Sequence, residues 1–243
     1  MATFVLVHGS WHGGWCWRDL APLLRRDGHE VHTPTLTGCG ANVHRLSRDI
    51  DLTVHADDVV NLLFYEDLKD VILVGHSYAG LVVAAAAPRV AERLRSLVFL
   101  DAYIVPPGGR GFDLWDEARV TAARAALAGT APWRDPLGPA ALGIEDEALA
   151  RWTAARMTPH PLATYETPLP ADTEASAALP RLYIRCAAGP IAHLFAPVEA
   201  QVREWGWQVR SLDTGHDAML TAPAPLAALL LAHAEEVGRG APA

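Results

Sequence analysis

The sequence predicts an α/β domain: a mostly parallel sheet flanked by helices, with a helical cap inserted into it. Three observations predict this. Short apolar, β-branched runs alternate with segments of helical period, the pattern of a parallel sheet wrapped by helices. One of those runs passes directly through Gly-His-Ser into a helix-forming stretch. Residues 102–180 then carry no strand-like run, which is too long for a plain connection inside a compact domain.

The elements follow in order. Residues 4–7 (Phe-Val-Leu-Val) form the opening strand, and the loop His8-Gly9-Ser10-Trp11-His12-Gly13-Gly14 leaves it. A helix over 15–26 stops at Gly28, where a C′ glycine is expected. A strand over 30–33 precedes a helix over 53–65, whose early Asp57 and Asp58 suit a helix N-terminus. The strand over 71–74 runs into a helix over 77–90, and 97–100 is the next strand. The inserted segment has turns at Pro106-Pro107-Gly108-Gly109 and over 132–139, and helical patterns over 115–127 and 145–156. It also holds Phe112, Trp115, Trp133, Trp152 and Tyr165, apolar bulk that a disordered linker lacks. Strands over 182–185 and 207–212 and helices over 197–204 and 225–237 complete the chain. The expected organisation is a core of 1–101 and 181–243, with 102–180 as a helical cap. The cap should lie over the carboxyl edge of the sheet, where open α/β folds bind ligands.

Composition narrows the partners. The 243 residues carry a net charge of -8 with no block of like charge, which speaks against a nucleic-acid partner. The 19 arginines against one lysine, Lys69, read as the mark of a GC-rich genome rather than a binding surface. Cys16, Cys39 and Cys186 are far apart and form no C-x-x-C pair, so neither a disulfide framework nor a metal site is indicated. The longest apolar stretch, 79–87, ends at Pro88-Arg89, short of the ~20 residues a membrane span needs. Met1-Ala2 before the opening strand is too short and uncharged for a signal peptide. A cytoplasmic protein with a small-molecule substrate is the expectation. Oligomeric state is not legible.

The chemistry concentrates in Gly75-His76-Ser77-Tyr78-Ala79-Gly80. A strand–turn–helix succession with small residues on either side of the Ser is a nucleophile elbow, which lifts Oγ above the sheet at a helix N-terminus. Ala79 stands at the second small position, with Gly80 following. A Ser hydroxyl needs a base, and in this chain order the base comes last. His216, in Asp213-Thr214-Gly215-His216-Asp217, lies between the last strand and the last helix and is that base. His233 falls within the terminal helix and reads as a surface residue; His160 and His193 are loop residues. The oxyanion of an acyl transfer needs two backbone donors, here Ser10 and Tyr78. His8 and His76 flank the site as hydrogen-bonding residues. Trp11, His12, Trp115 and Trp133 are the candidate pocket residues.

These residues resemble the plant methylesterase and hydroxynitrile lyase branch of the α/β-hydrolases and its bacterial esterase relatives. The likeness runs through residues 4–17, Gly28-His29, Thr35-Leu36-Thr37-Gly38, Tyr65-Glu66-Asp67-Leu68, the elbow and residues 215–220. It implies an α/β-hydrolase fold, Ser77 and His216 as catalytic residues, and cofactor-free chemistry on esters or cyanohydrins. Lyases of the branch carry Lys directly after the His; Asp217 stands there and argues against cyanohydrin cleavage. The branch's acid, some 27 residues before the His, is replaced by Gly189. Asp101, at the end of the strand after the nucleophile, is the expected substitute, since some lipases of this fold supply their acid there; the alternative is a strand-end residue capping amides. The expected function is a cofactor-independent serine hydrolase, a carboxylesterase for a small apolar or aromatic ester. The alternatives are a non-hydrolytic lyase or cyclase reusing the site, and a ligand-binding protein with a decayed triad.

Overall fold

A computed structural model describes residues 1–239. Its strands are β1 (Thr3–Val7), β2 (Glu30–His32), β3 (Val71–His76), β4 (Leu94–Leu100), β5 (Trp133–Arg134), β6 (His160–Pro161), β7 (Arg181–Cys186) and β8 (Gln208–Leu212). The helices are α1 (Ala21–Arg26), α2 (Leu52–Tyr65), α3 (Ala79–Val90), α4 (Glu117–Ala128) and α5 (Glu147–Ala154). After them come α6 (Ala163–Glu166), α7 (Glu174–Ala177), α8 (Ala192–Glu204), α9 (Ala218–Thr221) and α10 (Pro223–Arg239).

Six strands form one sheet in the order β2-β1-β3-β4-β7-β8, with every neighbouring pair parallel. Both faces are covered, which is why the strands read as continuous apolar runs rather than alternating ones. Successive side chains go to opposite layers. Val5, Val7, Val71, Leu73, Leu97 and Phe99 join α2 and α3 in one core cluster. Phe4, Leu6, Ile72, Val74, Val98 and Leu100 join α1 and α10 in the other. Burying each such side chain stabilises the fold by about 1.5–3 kcal/mol, so register slips are strongly disfavoured.

Parallel register also gathers the strand ends. Val7 pairs with Gly75, His76 with Leu100, Leu100 with Ile184 and Cys186 with Leu212. The segments leaving β1, β3, β4, β7 and β8 therefore emerge at one edge. Those segments begin with His8, Ser77, Asp101, Ala187 and Asp213.

Several elements differ from the sequence reading. The helix expected over 15–26 is a 3-10 turn, Gly14–Trp17, followed by α1. At α2 the capping acid is Asp51, whose side chain accepts from the Thr53 and Val54 amides at 2.8 and 3.1 Å. Asp58 instead holds Thr37, accepting from its amide at 2.6 Å and its hydroxyl at 2.8 Å. The segment between β4 and β7 is not strandless, because β5 and β6 form a short antiparallel pair. Two-residue strands leave no periodicity to detect. His233 is 3% exposed, with Nε2 3.0 Å from Ser96 Oγ. It lies on the apolar stripe of α10 with Leu226 and Leu230, at helical spacing, and so faces the core rather than solvent. Among the described residues no helix is long and apolar enough to cross a membrane.

Candidate active site

The elbow begins with close contacts that exclude side chains. A Cβ on Gly75 would stand 2.5 Å from the Ala79 carbonyl oxygen, and one on Gly9 would stand 2.8 Å from Ser77 Cβ. The small residue needed beyond Ser77 is Gly80 rather than position 79. A Cβ there would lie 2.2 Å from the Tyr103 carbonyl oxygen, whereas Ala79 is fully buried without conflict. Ser77 itself adopts a φ of 55°, in the left-handed region that a non-glycine residue occupies at a cost. Its amide donates to the Leu100 carbonyl at 3.0 Å, and its carbonyl accepts from the Gly80 and Tyr103 amides at 3.0 and 2.9 Å. Tyr78 then caps α3. Its buried hydroxyl is 2.9 Å from His55 Nδ1, and burial pushes the phenol's pKa well up.

His216 faces Asp101. His216 Nδ1 donates to Asp101 Oδ2 at 2.7 Å, and the two residues are 5% and 1% exposed. The other carboxylate oxygen, Oδ1, accepts from Arg185 Nη1 at 2.7 Å and from the Cys186 amide at 3.1 Å. Asp101 also has a positive φ, 40°, and its amide donates to the Ile184 carbonyl at 2.7 Å. A carboxylate on Nδ1 keeps the proton on that nitrogen and leaves the Nε2 lone pair free to accept one. Gly189, where the resemblance leads one to expect an acid, has a φ of 91° and lies just before α8. Arg185 was missed by the sequence reading. Its signal was a charged residue at the end of an otherwise apolar strand.

A second buried pair ties the loop after β8 to the loop after β1. His12 Nε2 donates to Asp217 Oδ2 at 3.0 Å, and its Nδ1 donates to the Ser10 carbonyl at 2.7 Å. Burial works against charge on the ring, but Asp217 outweighs it and raises the His12 pKa. Asp217 is held below the usual carboxylate range, with burial opposing and His12 prevailing. Both nitrogens face acceptors, an arrangement that favours the charged ring. Two further histidines are neutral braces. His8 Nδ1 donates to the Gly9 carbonyl at 2.8 Å while Nε2 accepts from the Leu36 amide at 3.0 Å, and burial takes its pKa down to about 3. His76 Nε2 donates to the His216 carbonyl at 3.0 Å, and burial, then the charge of His216, lowers its pKa well below the usual value.

Ser77 and His216 open on one cavity of about 320 Å³. Ser10, Trp11 and Tyr165 line it beside them, and Ser10 Oγ is hydrogen-bonded to the Tyr165 hydroxyl. Tyr103, Arg119, Arg134, Leu137 and Leu142 close it from the segment between β4 and β7, and Ile191, Leu194 and Phe195 from the start of α8. Three of the four expected pocket residues are not on it. His12 is 1% exposed and belongs to the ion pair with Asp217. Trp115 packs behind Tyr165, ring centroids 4.8 Å apart. Trp133 is in β5, one residue from Arg134, which is the side chain that reaches the cavity. Strand alternation explains that exchange. His76, His216 and Asp217 bring ligand-type atoms within 4.8 Å of one another, and each has protein hydrogen-bond partners.

The fold and the edge at which these loops meet define an α/β hydrolase. Residues 4–229 match the model of the Alpha/beta hydrolase family, and the chain belongs to that family. It is 40% identical to a carbendazim hydrolyzing esterase of Nocardioides sp. (strain SG-4G) over 241 residues, 96% of this chain and 99% of that protein. Methylesterase 1 of Arabidopsis thaliana is 39% identical over 103 residues, 42% of this chain and 39% of the plant protein. Among solved structures, a Paenibacillus α/β-hydrolase described as homologous to tobacco salicylic acid binding protein 2 superposes with a TM-score of 0.80 at 24% identity. That match covers 96% of this chain and 98% of the other. The Arabidopsis methylesterase MES16 gives 0.77 at 24% identity over 97% and 99%.

Proposed function

We propose that this α/β hydrolase is a cofactor-independent serine carboxylesterase. One observation carries the reading: His216, with a buried carboxylate on Nδ1, opens on the same cavity as a Ser in strained elbow geometry. In the proposed reaction Ser77 Oγ attacks the ester carbonyl and His216 Nε2 takes its proton. The backbone N–H groups of Ser10 and Tyr78 receive the oxyanion. The tetrahedral intermediate collapses, the alcohol leaves with the proton from His216, and water then hydrolyses the acyl-enzyme by the same steps. Asp101 orients His216 and stabilises its charged form. The esterase named among the relatives supports an ester substrate. Lack of an acid at Gly189 would favour a non-hydrolytic reaction; the Asp101 carboxylate on His216 Nδ1 supports the hydrolytic reading instead.

The test is covalent labelling. A fluorophosphonate probe should add one adduct mass to the wild type, on the peptide carrying Ser77, and none to Ser77→Ala. Ser77→Ala should also lose hydrolysis of short p-nitrophenyl esters while keeping its melting temperature. An unlabelled wild type, or a folded variant retaining more than a few percent of kcat, would overturn the assignment.

A further inference from the structure

Two arginines sit in this cavity with nothing anionic to meet them. Arg119, on α4, and Arg134, on β5, are half-buried and line the space that Ser77 and His216 open on. The Arg119 guanidinium carbon is 3.9 Å from the Trp115 ring centroid, and that of Arg134 is 4.2 Å from Trp11 and 5.3 Å from Trp115. Stacking on an indole uses the flat face of a guanidinium. The five N–H donors lie in its plane and stay available at the edges. Other arginines of the chain spend those edges on carboxylates: Arg124 on Glu166, Arg181 on Asp172 and Arg185 on Asp101. Among the described residues, no carboxylate lies within ion-pair distance of either Arg119 or Arg134. The nearby Asp116 side chain is committed to capping α4, accepting from the Arg119 amide at 2.8 Å.

The arrangement costs energy as it stands. Burial, and then the charge of Arg134, pull the Arg119 pKa below its ordinary value. Two like charges in one partly dry cavity repel, and an anion placed between them would relieve that repulsion. The indoles hold both side chains in place beforehand, so little rotamer entropy is lost when an anion arrives. Around them the wall is aromatic and aliphatic: Tyr103, Tyr165, Leu142 and Phe195.

We propose that the substrate is an ester whose acyl or alcohol part carries a carboxylate, and that Arg119 and Arg134 are the residues that select it. This deepens the carboxylesterase reading and rests on it for the reaction. It replaces the small apolar or aromatic ester expected from the sequence with an apolar body ending in a negative charge.

The test compares methyl 3-(4-carboxyphenyl)propanoate with its 4-carbamoyl counterpart, which has nearly the same shape and reacting carbonyl but no charge. For the wild type, kcat/KM should favour the carboxylate at least tenfold, and the preference should shrink as salt rises. In Arg119→Gln and Arg134→Gln the ratio should fall severalfold, and in the double variant towards one. Hydrolysis of both esters at equal rates by the wild type would overturn the inference and leave the esterase reading standing. If the chain hydrolyses neither these esters nor p-nitrophenyl acetate, the esterase reading fails. Calorimetry of methyl 3-(4-carboxyphenyl)propanoate, uncleaved in that case, binding to the intact protein then decides the carboxylate site alone. Binding at least tenfold tighter than the carbamoyl analogue, and lost in the double variant, supports it; equal or absent binding overturns it.

Discussion

Replacing Asp101 by Asn changes one atom, and the surrounding hydrogen bonds dictate the outcome. Oδ1 accepts from two donors, Arg185 Nη1 at 2.7 Å and the Cys186 amide at 3.1 Å. An asparagine must place its carbonyl oxygen there, because an NH2 group would face two N–H donors. Its NH2 is then directed at His216 Nδ1, where the carboxylate accepted at 2.7 Å. Nδ1 becomes the acceptor and the ring proton moves to Nε2, the nitrogen that takes the proton of Ser77 Oγ in the proposed reaction. The same exchange in a serine protease costs about 10⁴ in kcat, an upper guide here. Stability falls as well, since Arg185 loses its carboxylate in a buried setting. Glu199 remains 3.5 Å from Arg185 Nε, so the loss should sit at or below the ~3 kcal/mol lower edge for a broken buried pair. The assay is kcat on a p-nitrophenyl ester beside a thermal melt that establishes the folded fraction. A folded Asp101→Asn enzyme keeping more than about a tenth of wild-type kcat would refute the tautomer argument.

Two further outcomes follow from the same geometry. His8, His55, His76, His160 and His233 all have pKa values lowered by burial, so the unfolded chain takes up protons below pH 6.5 that the fold refuses. Stability therefore falls as pH drops from 6.5, with a slope of up to about 1.4 kcal/mol per pH unit for each proton the fold refuses. His12, raised, acts oppositely: its contribution is complete below 6.5 and fades as pH rises beyond it. Denaturant melts from pH 8 to 4.5 measure this, and a flat profile between 6.5 and 5 would contradict the neutral, buried state of these rings. Gly80→Ala should cost about 2–3 kcal/mol, or roughly 5–10 °C in Tm, because its Cβ would stand 2.2 Å from the Tyr103 carbonyl. An unchanged Tm would mean that the backbone around residue 103 yields freely.

The sequence alone determined whatever is encoded within one element or one turn. Parallel strands announce themselves as apolar runs, since each buries both faces. The elbow is legible because a sharp strand-to-helix turn demands small residues at set places, and position 216 is legible from its place after the last strand. What the tertiary structure decided is what depends on side chains meeting across the sheet. Asp101, Arg185 and His216 are brought together by the register of β4, β7 and β8, which no local pattern records. His12 is among the pocket residues expected from the sequence; only the buried Asp217, 205 residues away, turns it inward. Trp133 and Arg134 show the same limit at its smallest scale. Both belong to a two-residue strand whose pairing sets which of them faces the cavity. Sequence carries the identity of such neighbours, but the facing of each comes only from the packing of the whole chain.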